Sequence, residues 1–132
     1  MIPEDFHTMA KDMYNDPQCV TSFTSNSSDE ECFYRTLIDR AYYSAFLKSK
    51  EWVIDNASYQ AYDTGKDHLH VRKALKKATQ LGEDRHMLAS RLYRLKEERG
   101  KASYRLGIPL NKNDAKKNLD ESIFIITFLK TN

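Results

Sequence analysis

The fold is decided by residues 85–107, which read RHMLASRLYRLKEERGKASYRLG. Side chains recur along this stretch at steps of three and four residues, and the repeat passes through one charged position: Leu88, Leu92, Leu95, Arg99, Ala102 and Leu106. This spacing predicts one face of an amphipathic α-helix. Arg99 falls on that apolar face, where a guanidinium must be paired or hydrogen-bonded because an unpaired buried charge is very unfavourable.

Two explanations of Arg99 are open at this point. In the first, its guanidinium pairs with Asp39, Glu97 or another acid of its own chain, or its stem lies along the apolar face while its head reaches water. Replacing Arg99 would then lower stability rather than activity. In the second, the face opens on a partner subunit or on a phosphate-bearing ligand.

The composition fits a single domain over residues 1–132. This length is enough to bury a core without disulfides, and the content of 40% hydrophobic and 30% charged residues excludes a disordered chain. The formal net charge of +2 is too small by itself to indicate a nucleic-acid-binding protein.

The sequence predicts a cytoplasmic protein without a membrane partner. Cys19 and Cys32 lack metal-ligand spacing, and a chain of this size does not need a disulfide for stability, which favours a reduced environment. The N-terminal residues lack the basic start and apolar run of an export signal, and the longest apolar run, residues 123–129, is too short to span a membrane. No motif predicts a metal, a cofactor, or a Cys or Ser nucleophile.

Glycine and proline are scarce in the middle of the chain, which favours helices. We predict a short docking helix at about residues 3–14 and a core over residues 29–130, made of helices 29–56, 68–82, 83–107 and 114–130. The longest helix carries apolar side chains on two adjacent lines, which suits the centre of a bundle. The predicted fold class is all-α, an antiparallel bundle of four to five helices.

For four residues the sequence predicts a particular position or effect within the helices. We expect Leu69 to point inward, Gly82 to end its helix and Asn113 to cap the last helix. Gly100 predicts either a weakened helix just after Arg99 or a close approach of the backbone to another group.

The outer face of helix 68–82 is basic, with Arg72, Lys73, Lys76 and Lys77. Such a patch is able to hold RNA phosphates, although four basic residues on a helix more commonly form a solvated face.

Two motifs resemble the HEPN superfamily, most closely its small stand-alone prokaryotic members. The first is RAYYSAF at residues 40–46, which is similar to the AYYAAF-like segment of that family. The second is LYRLKEERGKASY at residues 92–104, which is similar to its R-x-x-A-D-Y-like ending. The resemblance covers roughly residues 29–130, and the two pieces together are more specific than either alone.

The resemblance implies a HEPN-like bundle, commonly dimeric, whose active members are metal-independent ribonucleases with an R-x4-6-H motif. It places the motif arginine on Arg99 and the motif histidine position on Tyr104. A tyrosine hydroxyl is a poorer base near neutral pH than an imidazole, which weakens the case for catalysis. None of the four histidines lies four to six residues after an arginine, although His70 matches a histidine often seen in these relatives.

Two functions follow from the resemblance. In the first, the protein is an RNA-associated toxin or phage-defence ribonuclease, in which Arg99 stabilises phosphate charge and Tyr104 orients it. In the second, a non-catalytic HEPN homodimer binds RNA, a nucleotide, or a partner protein such as a nucleotidyltransferase-type antitoxin. The dimer would pack through helices 29–56 and 83–107, and the predicted RNA-binding residues are Arg72, Lys73, Lys76 and Lys77.

Overall fold

The computed structural model describes residues 27–132, with side chains from residue 30 onward. It contains four α-helices and one short 3-10 turn: α1 (Ser27–Asn56), α2 (Asp67–Lys77), the turn Thr79–Leu81, α3 (Asp84–Tyr104) and α4 (Lys112–Lys130). No strand occurs within this range, so the predicted all-α class is confirmed. None of these four helices is long and apolar enough to cross a membrane. The predicted docking helix at residues 3–14 lies outside the described residues.

The helix α1 forms the centre of the structure because it buries both of its predicted apolar lines. The buried side chains are Phe33, Leu37, Ile38, Ala41, Tyr42, Ala45, Phe46, Ser49, Trp52 and Val53. Ser122 of α4 approaches the middle of α1 so closely that its hydroxyl donates to the carbonyl oxygen of Ala41 at 2.8 Å. Small residues allow this approach, since Ala41, Ser44 and Ala45 are all fully buried there.

Contacts between the helices fix the directions of α3 and α4. The helix α3 runs opposite to α1, because Arg35 near the start of α1 donates to the carbonyl oxygen of Ala102 near the end of α3 at 3.0 Å. The helix α4 runs in the same direction as α1. The backbone N–H of Leu110, just before α4, donates to the carboxylate of Glu31 at 3.3 Å, while the middles of the two helices also meet.

The helix α2 also runs in the same direction as α1, so residues 57–66 return along α1. Tyr42 in the middle of α1 hydrogen-bonds to His68 at the start of α2. Beyond the end of α2, the side-chain amide of Gln80 donates to the carbonyl oxygen of Asn56 at 2.6 Å, at the end of α1. As a result α2 and α3 pack together as an antiparallel pair against α1.

The inward face of α2 differs from the predicted one in its first turn, whereas the predicted inward residues Val71, Leu75 and Ala78 are buried. Leu69 is exposed, so its prediction as an inward residue is wrong. The inward positions are His68, Val71, Leu75 and Ala78, and the ring of His68 stacks on Phe46 at 4.4 Å between centroids. With His68 in this stack, the first turn of α2 directs His68 rather than Leu69 toward α1. The helix itself ends at Lys77, and Gly82, with a φ of +64°, ends the 3-10 turn that follows.

The end of α3 and the start of α4 also differ from the predictions. Leu106 lies beyond α3 and is exposed, because Arg35 donates to the carbonyl oxygens that close the last turn of that helix. The residue that caps α4 is Asn111 rather than Asn113. The Asn111 side chain accepts from the backbone N–H of Asp114 at 3.1 Å, and the Asp114 carboxylate accepts from the Asn111 backbone at 2.8 Å.

Gly100 does not interrupt α3, which continues for another turn to Tyr104. A Cβ atom added at Gly100 would have no described heavy atom within 4 Å outside the helix backbone. Neither predicted consequence of this glycine is therefore seen in the part of the chain that the structure describes.

Candidate functional site

Arg99 is held by an acid of its own chain. Its Nε donates to Asp39 Oδ1 at 2.8 Å, and its Nη2 donates to the hydroxyl of Tyr43 at 3.4 Å. Burial alone would lower the pKa of the Arg99 guanidinium, but the hydrogen bond to Asp39 and the electrostatic interactions with Asp39 and the nearby tyrosines together outweigh burial, so the pKa is raised. The structure thus agrees with the first of the two explanations, since Arg99 forms an ion pair with Asp39 of its own chain. Arg99 consequently has a structural role.

The guanidinium of Arg99 also remains accessible. Its side chain is 19% exposed, and among the described residues its Nη1 has no hydrogen-bond partner. The guanidinium carbon lies 4.9 Å from the ring centroid of Tyr43 and 5.7 Å from that of Tyr104, within the range of cation–π contacts. Tyr104 is 73% exposed at the last position of α3. The two residues predicted as catalytic are therefore neighbours through a ring contact.

Among the described histidines, His68 lies near Arg99, and no sequence motif singled it out. Its Nδ1 shares a hydrogen bond with the hydroxyl of buried Tyr42, whose ring is 5.9 Å from the Arg99 guanidinium carbon. Burial lowers the pKa of His68, and the positive charges of Lys96 and Arg99 lower it further. Its imidazole is therefore neutral at neutral pH. The ring of His70, which matched the family pattern, instead lies beside that of Tyr62, with the two centroids 4.9 Å apart.

The predicted RNA-binding residues divide between two grooves on opposite flanks of α2. Arg72, Lys73 and Lys76 line a cavity of about 400 Å³ between α2 and α3, which we call the α2–α3 groove. Lys77 lies on the other flank, and Lys73 borders both grooves. The split follows from helix geometry, because positions 72 and 76 form one line along α2 and positions 73 and 77 form the adjacent line.

The α2–α3 groove combines positive charge with an exposed aromatic ring. The facing helix supplies Tyr93 and Arg94, and the guanidinium carbon of Arg72 lies 4.6 Å from the ring centroid of Tyr93. No acidic residue of the described part of the chain lines this groove, whose remaining lining residues are Leu69, Ala89 and Ser90. The groove therefore offers several cations that no lining carboxylate neutralises.

Arg72 links the groove to the surroundings of Arg99. Its charge acts on His68 together with the charges of Lys96 and Arg99, and its Nε donates to the carbonyl oxygen of His68 at 3.2 Å. Two separate sequence signals, the basic face of helix 68–82 and the arginine at position 99, thus meet along the α2–α3 pair.

Arg35 is a further arginine with a defined role, and no sequence pattern had singled it out. It is buried and donates to the carbonyl oxygens of Lys101 at 3.1 Å and Ala102 at 3.0 Å, to that of Ile108, and to the carboxylate of Glu31 at 2.8 Å. These contacts tie the end of α3 and the following loop to α1. Backbone carbonyls carry no residue identity, so no sequence signal could have found this role.

Within residues 30–132, no three His, Cys, Asp or Glu side chains are grouped so that they could hold a metal ion. Comparison of the chain with protein-family models, curated proteins and solved structures gives no match. The resemblance to the HEPN superfamily therefore rests on the two motifs alone.

Proposed function

We propose that this protein is a HEPN-like RNA-binding module that holds a single-stranded segment along the α2–α3 pair and does not cleave it. The observation that carries the proposal is the α2–α3 groove, where Arg72, Lys73, Lys76 and Arg94 surround an exposed Tyr93 and no acid among the described residues lines the cavity. Arg99, with its remaining Nη1 donors, lies further along α3, where it contacts α1.

This combination suits single-stranded RNA better than a generic anion. Lysine and arginine side chains neutralise backbone phosphates, and an accessible aromatic or guanidinium plane lets an unstacked base lie flat against it. The guanidinium carbon of Arg72 lies 4.6 Å from the ring centroid of Tyr93, so a guanidinium plane and an aromatic plane occur together in this groove. Recognition of single strands by stacking is the usual mode for RNA, because the major groove of its duplex is too narrow to be read by side chains.

Binding has more support than cleavage. Metal-free cleavage by the 2′-hydroxyl needs a base for that proton, an acid for the leaving oxygen and free positive charge for the phosphate. The Nε of Arg99 is already engaged by Asp39, and the position of the motif histidine holds Tyr104. The neutral His68 lies nearby, but its Nδ1 is engaged by Tyr42.

The test is binding of a fluorescently labelled single-stranded RNA, followed by anisotropy over a range of salt concentrations. We expect the double variant Lys73→Ala/Lys76→Ala to weaken binding at least tenfold and to reduce the magnitude of the log–log salt slope by about 1.4, since each lost phosphate contact on a single strand contributes about 0.7. The matched control is Lys116→Ala/Lys117→Ala, which removes the same charge from exposed positions of α4. Equal losses in the two variants would mean that the face of α2 is only a solvated surface.

The same samples test cleavage directly. RNA incubated with the protein and a chelator should remain intact on a denaturing gel. Cleavage that disappears in Arg99→Ala, while the variant stays folded, would instead support the variant ribonuclease with Arg99 and Tyr104 in its site.

The homodimer and a partner such as a nucleotidyltransferase-type antitoxin belong to the same proposal. Sedimentation of the purified protein should give the mass of two chains. A monomer at all concentrations would remove the dimer from the proposal and leave RNA binding to be judged by the anisotropy experiment.

A further inference from the structure

The groove on the other flank of α2 has no place in the function proposed above. We infer that it binds one nucleotide, with the base against the paired rings of Tyr62 and His70 and the phosphate between Lys73 and Lys77. The ligand chemistry is a flat nucleobase joined to a phosphate, which either a free nucleotide or one residue of an RNA strand supplies.

The shape and lining of this groove match such a ligand. Its volume is about 570 Å³, within the range of small-molecule sites. Two lysines, Lys73 and Lys77, lie one helical turn apart on its α2 side, and none of the described residues that line it is acidic. The side-chain amide of Gln80 closes one end by its hydrogen bond to the carbonyl oxygen of Asn56.

The aromatic wall is accessible and has a defined geometry. The rings of Tyr62 and His70 are tilted by 30° with their centroids 4.9 Å apart, and Tyr62 is 52% exposed. A ring backed on one side by another ring and open on the other is suited to stack a base.

The loop that carries Tyr62 is fixed in place by a buried carboxylate. Asp67, at the start of α2, accepts from the backbone N–H groups of Tyr62 at 2.9 Å and Asp63 at 2.8 Å, and from the hydroxyl of Tyr59. Lys50 of α1 lies 3.3 Å from the same carboxylate. The wall of the groove is thus ordered before any ligand arrives, and binding loses less entropy to ordering the loop.

The RNA arm of this inference rests on the proposed function, because Lys73 borders both grooves and a strand that crosses α2 would place adjacent residues in each. The free-nucleotide arm does not depend on it. The two arms are separated by two probes, AMP measured by calorimetry and the labelled single-stranded RNA measured by anisotropy.

The variants are chosen to act on this groove alone. Tyr62→Ala should weaken binding of the probe that uses the groove by about tenfold, which is within the range for loss of one base–aromatic stack, while Tyr62→Phe keeps the ring and should restore the affinity to within about twofold. Lys77→Ala should weaken the same probe, since Lys77 lines only this groove. The double variant Lys116→Ala/Lys117→Ala on α4, whose residues line neither groove, is the control and should leave AMP binding unchanged.

The outcomes distinguish the two ideas. Binding of AMP that depends on Tyr62 supports a free-nucleotide site even if RNA does not bind, in which case the proposed function fails. RNA binding that is weakened both by Tyr62→Ala and by Tyr93→Ala, which changes a residue of the α2–α3 groove alone, supports one residue of a strand as the ligand. Absence of AMP binding, together with RNA binding that ignores Tyr62 and Lys77, would overturn the nucleotide site and leave the proposed function standing.

Discussion

Two arginines lie where α1 meets the end of α3, Arg35 on α1 and Arg99 on α3, and the structure surrounds them differently. The side chain of Arg35 is 9% exposed and its donors are directed at the backbone carbonyls of α3 and its following loop and at Glu31. The side chain of Arg99 is 19% exposed, and its firm hydrogen bond is the one to Asp39. Its other neighbours are aromatic rings.

The two arginines differ in how far their hydrogen-bond partners are buried and in whether any of their donors is unused. The guanidinium of Arg35 is buried, as is its contact with the carbonyl of Ala102, so loss of the guanidinium leaves that buried carbonyl without this donor. Arg99 keeps a partner that water could replace and has donors at Nη1 that no described residue uses. The same side chain is therefore a fixed part of the fold at position 35 and a group able to engage a ligand at position 99. Four experiments test this contrast.

Arg35→Ala should produce the largest effect, a loss of about 3 kcal/mol in the free energy of unfolding, because it removes several charge-assisted hydrogen bonds from a buried place. Urea unfolding followed by circular dichroism measures this. Arg105→Ala, one residue beyond α3 and exposed, is the matched control and should stay within about 0.5 kcal/mol of wild type. A loss below about 1 kcal/mol in Arg35→Ala would remove the contrast with Arg99.

Arg99→Ala should lower the free energy of unfolding by only about 1 kcal/mol, because its ion pair is partly exposed to solvent. Asp39→Asn should also destabilise slightly, yet it should tighten RNA binding about twofold to threefold, since it frees Arg99 and removes a nearby negative charge. Asp120→Asn on α4 makes the same change in net charge far along another helix and should leave RNA binding unaltered. Equal RNA affinity in the two aspartate variants would show that Arg99 serves the fold alone.

Gly100→Ala, between the two arginines' contacts on α3, should raise the free energy of unfolding by about 0.5 to 1 kcal/mol, because alanine restricts the unfolded chain more than glycine and favours a helix. The added Cβ meets no described heavy atom within 4 Å. Urea unfolding provides the value, and sedimentation of the same sample provides the oligomeric state. Destabilisation accompanied by loss of a dimer would place the backbone at this glycine in a subunit interface.

The pH dependence of the free energy of unfolding should show a smaller effect, which comes from His68 near Arg99 and does not involve Arg35. Burial and the charges of Lys96 and Arg99 hold the pKa of His68 below its ordinary value of 6.5, so the unfolded chain takes up a proton first as the pH falls. Stability should therefore decrease as the pH drops below about 6.5, and His68→Gln should flatten that decrease. The urea midpoint measured between about pH 7.5 and pH 5 gives the slope. An unchanged slope in His68→Gln, with His86→Gln as control, would contradict the prediction.

The central helix could be predicted well from sequence, whereas the residue that faces inward in the first turn of α2 could not. Both apolar lines of α1 follow directly from the 3.6-residue period, and they are buried as expected. In α2 the segment HLHVRKAL allows two phases, one with Leu69 inward and one with His68 inward. Hydrophobicity alone favours the leucine. The contact of His68 with Tyr42 and Phe46 on α1 decides for the histidine.

The candidate site was predicted in part for a similar reason. The helical period placed Arg99 on the apolar face and the sequence offered Asp39 among its partners, but only the fold brings together two residues 60 positions apart. The division of the basic residues between two grooves also depends on which elements flank α2. The loop with Tyr62 forms one flank and α3 forms the other, and neither neighbour is written in the sequence of α2.

The parallel packing of α1 and α4 has a consequence for synthesis on the ribosome. The contact between Ala41 and Ser122 joins residues 81 positions apart, so the middle of α1 is covered by the last of the four described helices to be made. Contacts of such long range form late, and uncovered apolar surface makes a nascent chain prone to aggregate. A chain stalled before α4 would therefore be a substrate for chaperones, and its bundle would close only once translation had passed Ser122.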